Sequence, residues 1–154
     1  VIFNMVSAML LRIHQSGHLA KLDEERKALV KRALDIYKTI RQDIRISRPF
    51  WPLGLAGYSD EIVSLGLFVE GKAYLAVWKR GGKADCVTLP VSAAVRNALG
   101  GEELSVTCIY PDRESADAVY DPIQKAVKAA LPKTVMARLF ELKPAYEKAD
   151  AKNS

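Results

Sequence analysis

The side chains of this chain that could do chemistry are few, and their spacing builds no complete catalytic set. Past residue 50, adjacent carboxylates occur twice, at Asp60-Glu61 and Glu102-Glu103. Paired carboxyl groups work as general acid and base when they face each other across a cleft. Both pairs here sit in turn-like stretches, where solvated surface is the default, so no catalytic dyad is evident. His14 and His18 are four residues apart, as two metal ligands on one helix face would be. Gly17 lies between them and no third ligand is near, which argues against zinc, and no metal is expected. The sequence also holds no Gly-rich phosphate loop, no Ser-His-Asp set and no cysteine nucleophile. No cofactor is expected.

Cys86 and Cys108 fit neither a metal-ligand spacing nor a disulfide framework. Both lie in apolar, strand-like surroundings and read as buried free thiols of a reducing, cytoplasmic compartment. Phe50, Trp51 and Trp78 offer faces on which a sugar ring could stack, but large aromatics more often fill cores and interfaces. Phe50 and Trp51 are expected at a domain interface, and Trp78 in the core or rim of the β part.

Charge divides the chain unevenly. Residues 1–50 hold ten Lys/Arg against five Asp/Glu, and residues 51–154 hold thirteen of each. The whole net charge of +5 therefore belongs to the first third. Its cations are interleaved with Asp23, Glu24, Glu25, Asp35 and Asp43, unlike the basic stripe a nucleic-acid site needs. No nucleic-acid partner is expected. No apolar run approaches the roughly 20 residues of a membrane span, so no membrane partner is expected either. The apolar start, Val1 to Leu11, is interrupted by Asn4 and Ser7, lacks a basic beginning and has no small-residue cleavage site after it. A chain that opens with Val inside an apolar run reads as cut at an internal boundary or from a truncated reading frame.

The elements that would position these residues follow from periodicity. Residues 1–13 suit a buried helix or a strand, and their pattern does not decide between them. Asp23 can cap a helix whose first turn carries Glu24 and Glu25 beside the positive end of its dipole. Leu29, Ala33, Ile36, Tyr37, Ile40 and Ile44 give that helix one apolar face over about 24–45. Pro49 ends it, and residues 49–54 can neither continue the helix nor pair as a central strand, which marks a junction. Beyond it the period becomes two. Strands are predicted over 62–69, 73–79, 85–89, 104–110 and 135–142, and together they suggest an antiparallel sandwich. In the second of these, Tyr74, Ala76 and Trp78 should face one way, and Ala73, Leu75 and Val77 the other. Residues 92–99 fit a helical turn or a loop. Residues 118–131 look helical by their Ala and Lys content, although Pro122 interrupts them.

The ordered series Phe3-Asn4-Met5-Val6, Arg12, Ser16-Gly17-His18-Leu19, the capped helix, Pro49-Phe50-Trp51-Pro52-Leu53-Gly54-Leu55 and Leu75-Ala76-Val77-Trp78 closely resembles the C-terminal end of glycoside hydrolase family 36, the retaining α-galactosidases. Leu131-Pro132 and Ala137-Arg138-Leu139-Phe140-Glu141-Leu142 look like that family's closing strands. The resemblance runs from about residue 3 to 143. It implies an α+β fragment: a helical lead-in that is the end of a (β/α)8 TIM barrel (1–48), then an antiparallel β-sandwich (49–144), then a polar, frayed tail (145–154). It also pushes residues 124–131 towards strand.

Retaining hydrolysis needs two carboxyl groups about 5–5.5 Å apart. The family's nucleophile lies in a Lys-Trp-Asp-like motif, whereas here Trp51 precedes Pro52 and Trp78 precedes Lys79. Both catalytic aspartates should therefore lie upstream, in a barrel on the same polypeptide, and this chain alone should be inactive. Ser16, Gly17 and His18 would sit in the loop after the last barrel strand, on the catalytic face, where they could bind substrate. The other account of them is a turn at Gly17 and a local hydrogen bond at His18. The implied partners are the upstream barrel and α-galactoside sugars, and association between copies stays open. A different class of function also remains: a stand-alone β-sandwich that binds a carbohydrate or a protein.

Overall fold

A computed structural model describes residues 1–14, 17–112 and 117–145. Ser16 and residues 146–154 of the tail lie outside the described residues. The elements run α1 (Ile2–Met9), α2 (Glu24–Ile46), β1 (Arg48–Phe50), β2 (Ile62–Val69), β3 (Lys72–Lys79), β4 (Cys86–Pro90), α3 (Ala93–Leu99), β5 (Leu104–Tyr110), β6 (Ala118–Asp121), β7 (Ala126–Ala130) and β8 (Met136–Pro144). All strand pairs are antiparallel. One sheet has the order β1-β2-β3-β8-β5 and the other β4-β7-β6. The expected antiparallel sandwich is therefore present, and the two long helices add a third layer on the outer face of its larger sheet.

Alternation on β3 creates both layers. Ala73, Leu75 and Val77 enter the cluster between the sheets, with Phe140, Leu142, Val106, Cys108, Leu89 and Val127. Tyr74 and Ala76 face the other way, and with Leu139, Ala137, Ile109 and Tyr110 they meet Met5, Val6, Met9 and Leu10 of the α1 segment and Val30, Ala33 and Ile40 of α2. The register shifts between Cys108 and Tyr110. That bulge lets Ile109 and Tyr110 both face the helices, which strict alternation would forbid.

The undecided segment 1–13 forms a helix because Met5, Val6, Met9 and Leu10 recur at three- and four-residue steps against the sheet. Helix α2 starts where Asp23 was expected to cap it, with the Arg26 N–H donating to the Asp23 carboxylate at 2.8 Å. Residues 93–99 form a helix capped by Ser92, and it ends on Gly100 at φ +75, a left-handed stop suited to glycine.

Two expectations fail. The helix that composition suggests over residues 118–131 is not formed; the segment is the hairpin β6–β7, with residues 126–130 in strand as the family resemblance implied for 124–131. The Asp121 carboxylate accepts from the Ile123 and Gln124 N–H groups, and Lys125 has φ 52, so this turn uses side-chain bonding where composition alone favoured helix. Cys86 is exposed rather than buried, because it opens β4, the edge strand of the smaller sheet. Cys108 is buried as expected.

Candidate functional site

Of the predicted substrate-contacting loop, Gly17 and His18 lie among the described residues. Both are exposed, and a Cβ built at Gly17 would meet nothing within 4 Å. The His18 carbonyl accepts from the Lys21 N–H at 3.0 Å, starting the single 3-10 turn Leu19–Lys21. His14 is exposed, and among the described residues no three His, Cys, Asp or Glu side chains gather to hold a metal.

The aromatics of the junction part company. The Phe50 ring is buried in the cluster between the sheets, lies over Gly66 and meets Phe68 edge-on at 6.0 Å between centroids. A Cβ at Gly66 would fall 2.1 Å from that ring, so glycine is what lets it seat there. Trp51, the next residue, is 45% exposed. Trp78 is partly buried on the helix-facing side, and its indole N–H has no acceptor among the described residues.

The loop that follows carries an open groove of about 380 Å³, which Leu53, Gly54, Ser59, Asp60, Glu61 and Val63 help to line. Arg80 holds its shape: the guanidinium donates to the Gly57 carbonyl at 3.0 Å and to the Asp60 carbonyl, and the Arg80 N–H donates to the Glu61 carbonyl at 2.7 Å. One Asp60 carboxylate oxygen accepts from the Gly57 N–H at 2.7 Å. The Glu61 carboxylate lies against Gly82. These two carboxylates can accept hydrogen bonds from a ligand's hydroxyls, with Trp51 exposed two residues before Leu53. The other acidic pair does structural work. Glu102 stands 3.9 Å from Arg96, and the Glu103 carbonyl accepts from the Ala145 N–H at 2.9 Å.

Polar groups lie inside the layers, most of them with partners that sequence reasoning did not assign. The Tyr74 hydroxyl donates to the Asp43 carboxylate at 2.6 Å, and the Lys72 ammonium stands 3.4 Å from the same oxygen. Burial, then the Asp43 hydrogen bond, holds the Tyr74 phenol protonated far above its usual range. Lys79 is buried between the sheets, where its ammonium donates to the Leu131 carbonyl at 2.9 Å and lies 3.8 Å from Asp85. Burial pushes the Cys108 thiol up to about 12 against the pull of the Arg138 guanidinium, so it is no nucleophile. Cys108 was read as a buried thiol from its apolar surroundings; for Tyr74 and Lys79 the advance signal was a polar side chain at an inward register position.

No protein-family model and no curated protein matches the sequence. Solved structures do match its fold. The α-galactosidase AgaA of Geobacillus stearothermophilus, from glycoside hydrolase family 36, superposes on 90% of this chain with a TM-score of 0.64 at 14% identity. The α-galactosidase of Lactobacillus brevis matches 93% of it with a TM-score of 0.64 at 12% identity. The galactosidase domain of an α-galactosidase–sucrose kinase matches 80% with a TM-score of 0.55 at 14% identity. The chain spans only 18% of the Geobacillus enzyme and 20% of the Lactobacillus one. At such identity the likeness shows a shared fold, and that fold is the one found in part of the α-galactosidases the sequence resembles.

Proposed function

We propose that this chain is the C-terminal portion of an α-galactosidase-like glycoside hydrolase. In this reading residues 1–48 end the catalytic barrel and residues 49–144 form the sandwich that caps it. The parent enzyme would remove terminal α-galactosyl groups by double displacement, using carboxylates carried elsewhere on the polypeptide. The observation that carries the reading is the match over nine-tenths of this chain to about a fifth of two such enzymes. Its partners would then be the rest of the barrel and, through it, α-galactoside sugars. A double variant of the Geobacillus enzyme with the same fold match was solved with raffinose. The compartment proposed is the cytoplasm; among the described residues no helix is long and apolar enough to cross a membrane.

The test is an assay of purified residues 1–154 with an aryl α-galactoside, alone and mixed with the barrel of a related enzyme from which the matching segment has been removed. No turnover alone and restored turnover in the mixture is the expected result. Turnover by the isolated chain overturns the reading.

One observation favours a second reading. Trp51 is half-exposed, and its carbonyl accepts from the N–H of Gly54, which lines the groove with Asp60 and Glu61. An exposed indole suits a sugar's C–H face, and the carboxylates its hydroxyls. A stand-alone carbohydrate-binding sandwich would show saturable quenching of tryptophan fluorescence by raffinose, lost in Trp51→Ala.

A further inference from the structure

The cations of α2 fall into two groups. Arg26 and Lys27 pair with Asp23 and Glu24, Lys31 and Lys38 with Asp35, and the Arg32 guanidinium donates to the Pro111 carbonyl at 2.9 Å. Every basic residue in the first 15 positions of the helix therefore has a partner. Arg41 and Arg45, further along, make no ion pair or hydrogen bond with another described residue, and neither does Arg12 beyond α1. All three line one groove of about 410 Å³.

That groove is built rather than incidental. The Tyr37 hydroxyl, on its wall, donates to the Leu11 carbonyl at 3.2 Å and ties α2 to the end of the α1 segment. Leu11, Tyr37 and Ile44 supply the apolar part of the lining, and the three arginines most of the charge. Arg41 and Arg45 stand one turn apart on the helix, where like charges repel and cost stability. Favourable interaction with the helix dipole explains Arg45, in the last turn. The dipole's influence fades beyond that turn, so it explains neither Arg41 nor Arg12.

We propose that this groove binds a doubly charged oxyanion of the phosphate type. A phosphate dianion offers oxygens enough for several planar guanidinium forks and removes the repulsion among them, whereas one carboxylate would leave most of the charge unanswered. The volume falls within the range of small-molecule pockets. The proposal does not depend on the glycosidase reading and would stand or fall apart from it.

The experiment is calorimetric titration of residues 1–154 with inorganic phosphate and with glucose 6-phosphate, at constant ionic strength in chloride. Saturable binding of one equivalent is expected, weakened at least tenfold in the double variant Arg41→Gln/Arg45→Gln and unchanged in Arg48→Gln, whose guanidinium lies outside the groove. Circular dichroism confirms that each variant is folded. Binding of both probes supports a site for free phosphate, and binding of the ester alone supports a site for a phosphorylated small molecule. Absence of saturable binding at millimolar probe, persistence in the double variant, or equal loss in Arg48→Gln overturns the proposal.

Discussion

The two faces of the five-stranded sheet combine apolar burial and directed polar contacts in different proportions. Towards the smaller sheet, the side chains from β3, β5 and β8 are mostly apolar, and among the described residues two charges enter that layer: Lys79, bonded to the Leu131 carbonyl, and Arg138, paired with Asp117 at 2.9 Å. Towards the helices, directed polar contacts cross the apolar layer: Tyr74 to Asp43, Tyr110 to the Leu29 carbonyl at 3.3 Å, and Arg32 to the Pro111 carbonyl. Apolar burial is non-directional and proportional to area, so it holds the two sheets together without fixing their details. Hydrogen bonds of set length and angle fix where each helix sits. The sandwich is thus stabilised chiefly by area, and the helical layer is also registered by a few bonds.

That contrast breaks if cavity and hydrogen-bond deletions cost the same. The largest loss is expected from Phe140→Ala, whose ring is fully buried between the sheets. Urea denaturation should show a destabilisation of about 3–5 kcal/mol, from lost transfer energy and an unfilled cavity. Next comes Tyr74→Phe on the opposite face, which keeps the ring and removes only the bond to Asp43. A hydrogen bond to a charged group is worth about 1.5–3 kcal/mol. Its partner test is a double-mutant cycle with Asp43→Asn, in which the two losses should not add. Full additivity would mean that the contact does not hold α2 in place.

Alkaline pH sharpens the comparison because each face buries a group that must stay protonated. Burial raises Cys108, on the sandwich side, from 9.0 to about 12 and Tyr110, on the helix side, from 10.0 to about 12. The folded state holds these protons where the unfolded chain has released them. The stabilisation is complete below the unfolded values and disappears as pH rises from about 9 for the thiol and about 10 for the phenol. Stability should fall by about 1.4 kcal/mol per pH unit for each group across its window. Cys108→Ala should remove the slope between about pH 9 and 10 and lessen it above, and Tyr110→Phe should lessen it above about pH 10, where the buried Tyr74 phenol keeps contributing. An unchanged slope in both variants would show that neither group is buried as described.

How much was legible in advance follows the same division. Strands β2 and β5 were read at their observed ends, because a half-buried strand leaves period two and its turns leave Gly or Pro. Helix α2 was legible through Asp23, Glu24 and Glu25, and the facing of β3 through strict alternation. The hairpin at 118–130 was not legible from composition, and only the resemblance pointed to strand over 124–131, because Ala118, Ala126 and Ala129 pack a thin layer between sheets while the same residues favour helix in isolation. Tertiary packing decided there, and the local hints were Asp121 and the Pro122 that follows it. The exposed Cys86 needed knowledge that β4 lies at an edge, which only pairing order supplies. Of the candidate site, Gly17, His18 and Trp51 were named but their exposure was not foreseeable. The three-arginine groove required the end of α1 to be placed beside α2, a contact between residues some thirty positions apart.

The smallest effects concern the caps, and they test whether the helical layer is registered locally or by the sheet. Asp23→Ala removes the 2.8 Å bond to the Arg26 N–H, and Ser92→Ala a longer one of 3.4 Å to the Val95 N–H. Loss of an N-cap costs about 1 kcal/mol, and the longer Ser92 bond should sit at the lower end, about 0.5 kcal/mol. The two losses should nevertheless be felt differently. The first buried residue of α2, Val30, lies well inside the helix, so removal of Asp23 frays the opening turns and leaves the packed portion intact. Helix α3 is seven residues long and places Val95 and Leu99 directly in the core between the sheets. Its cap cannot loosen without disturbing that core. Hydrogen exchange should therefore speed up only in residues 24–28 for Asp23→Ala. For Ser92→Ala the slow amides of β2 and β3, against which α3 packs, should accelerate together. Acceleration spread over the whole of α2 in the first variant would mean that the sheet contributes less to its position than the bonds of Tyr74 and Tyr110 imply.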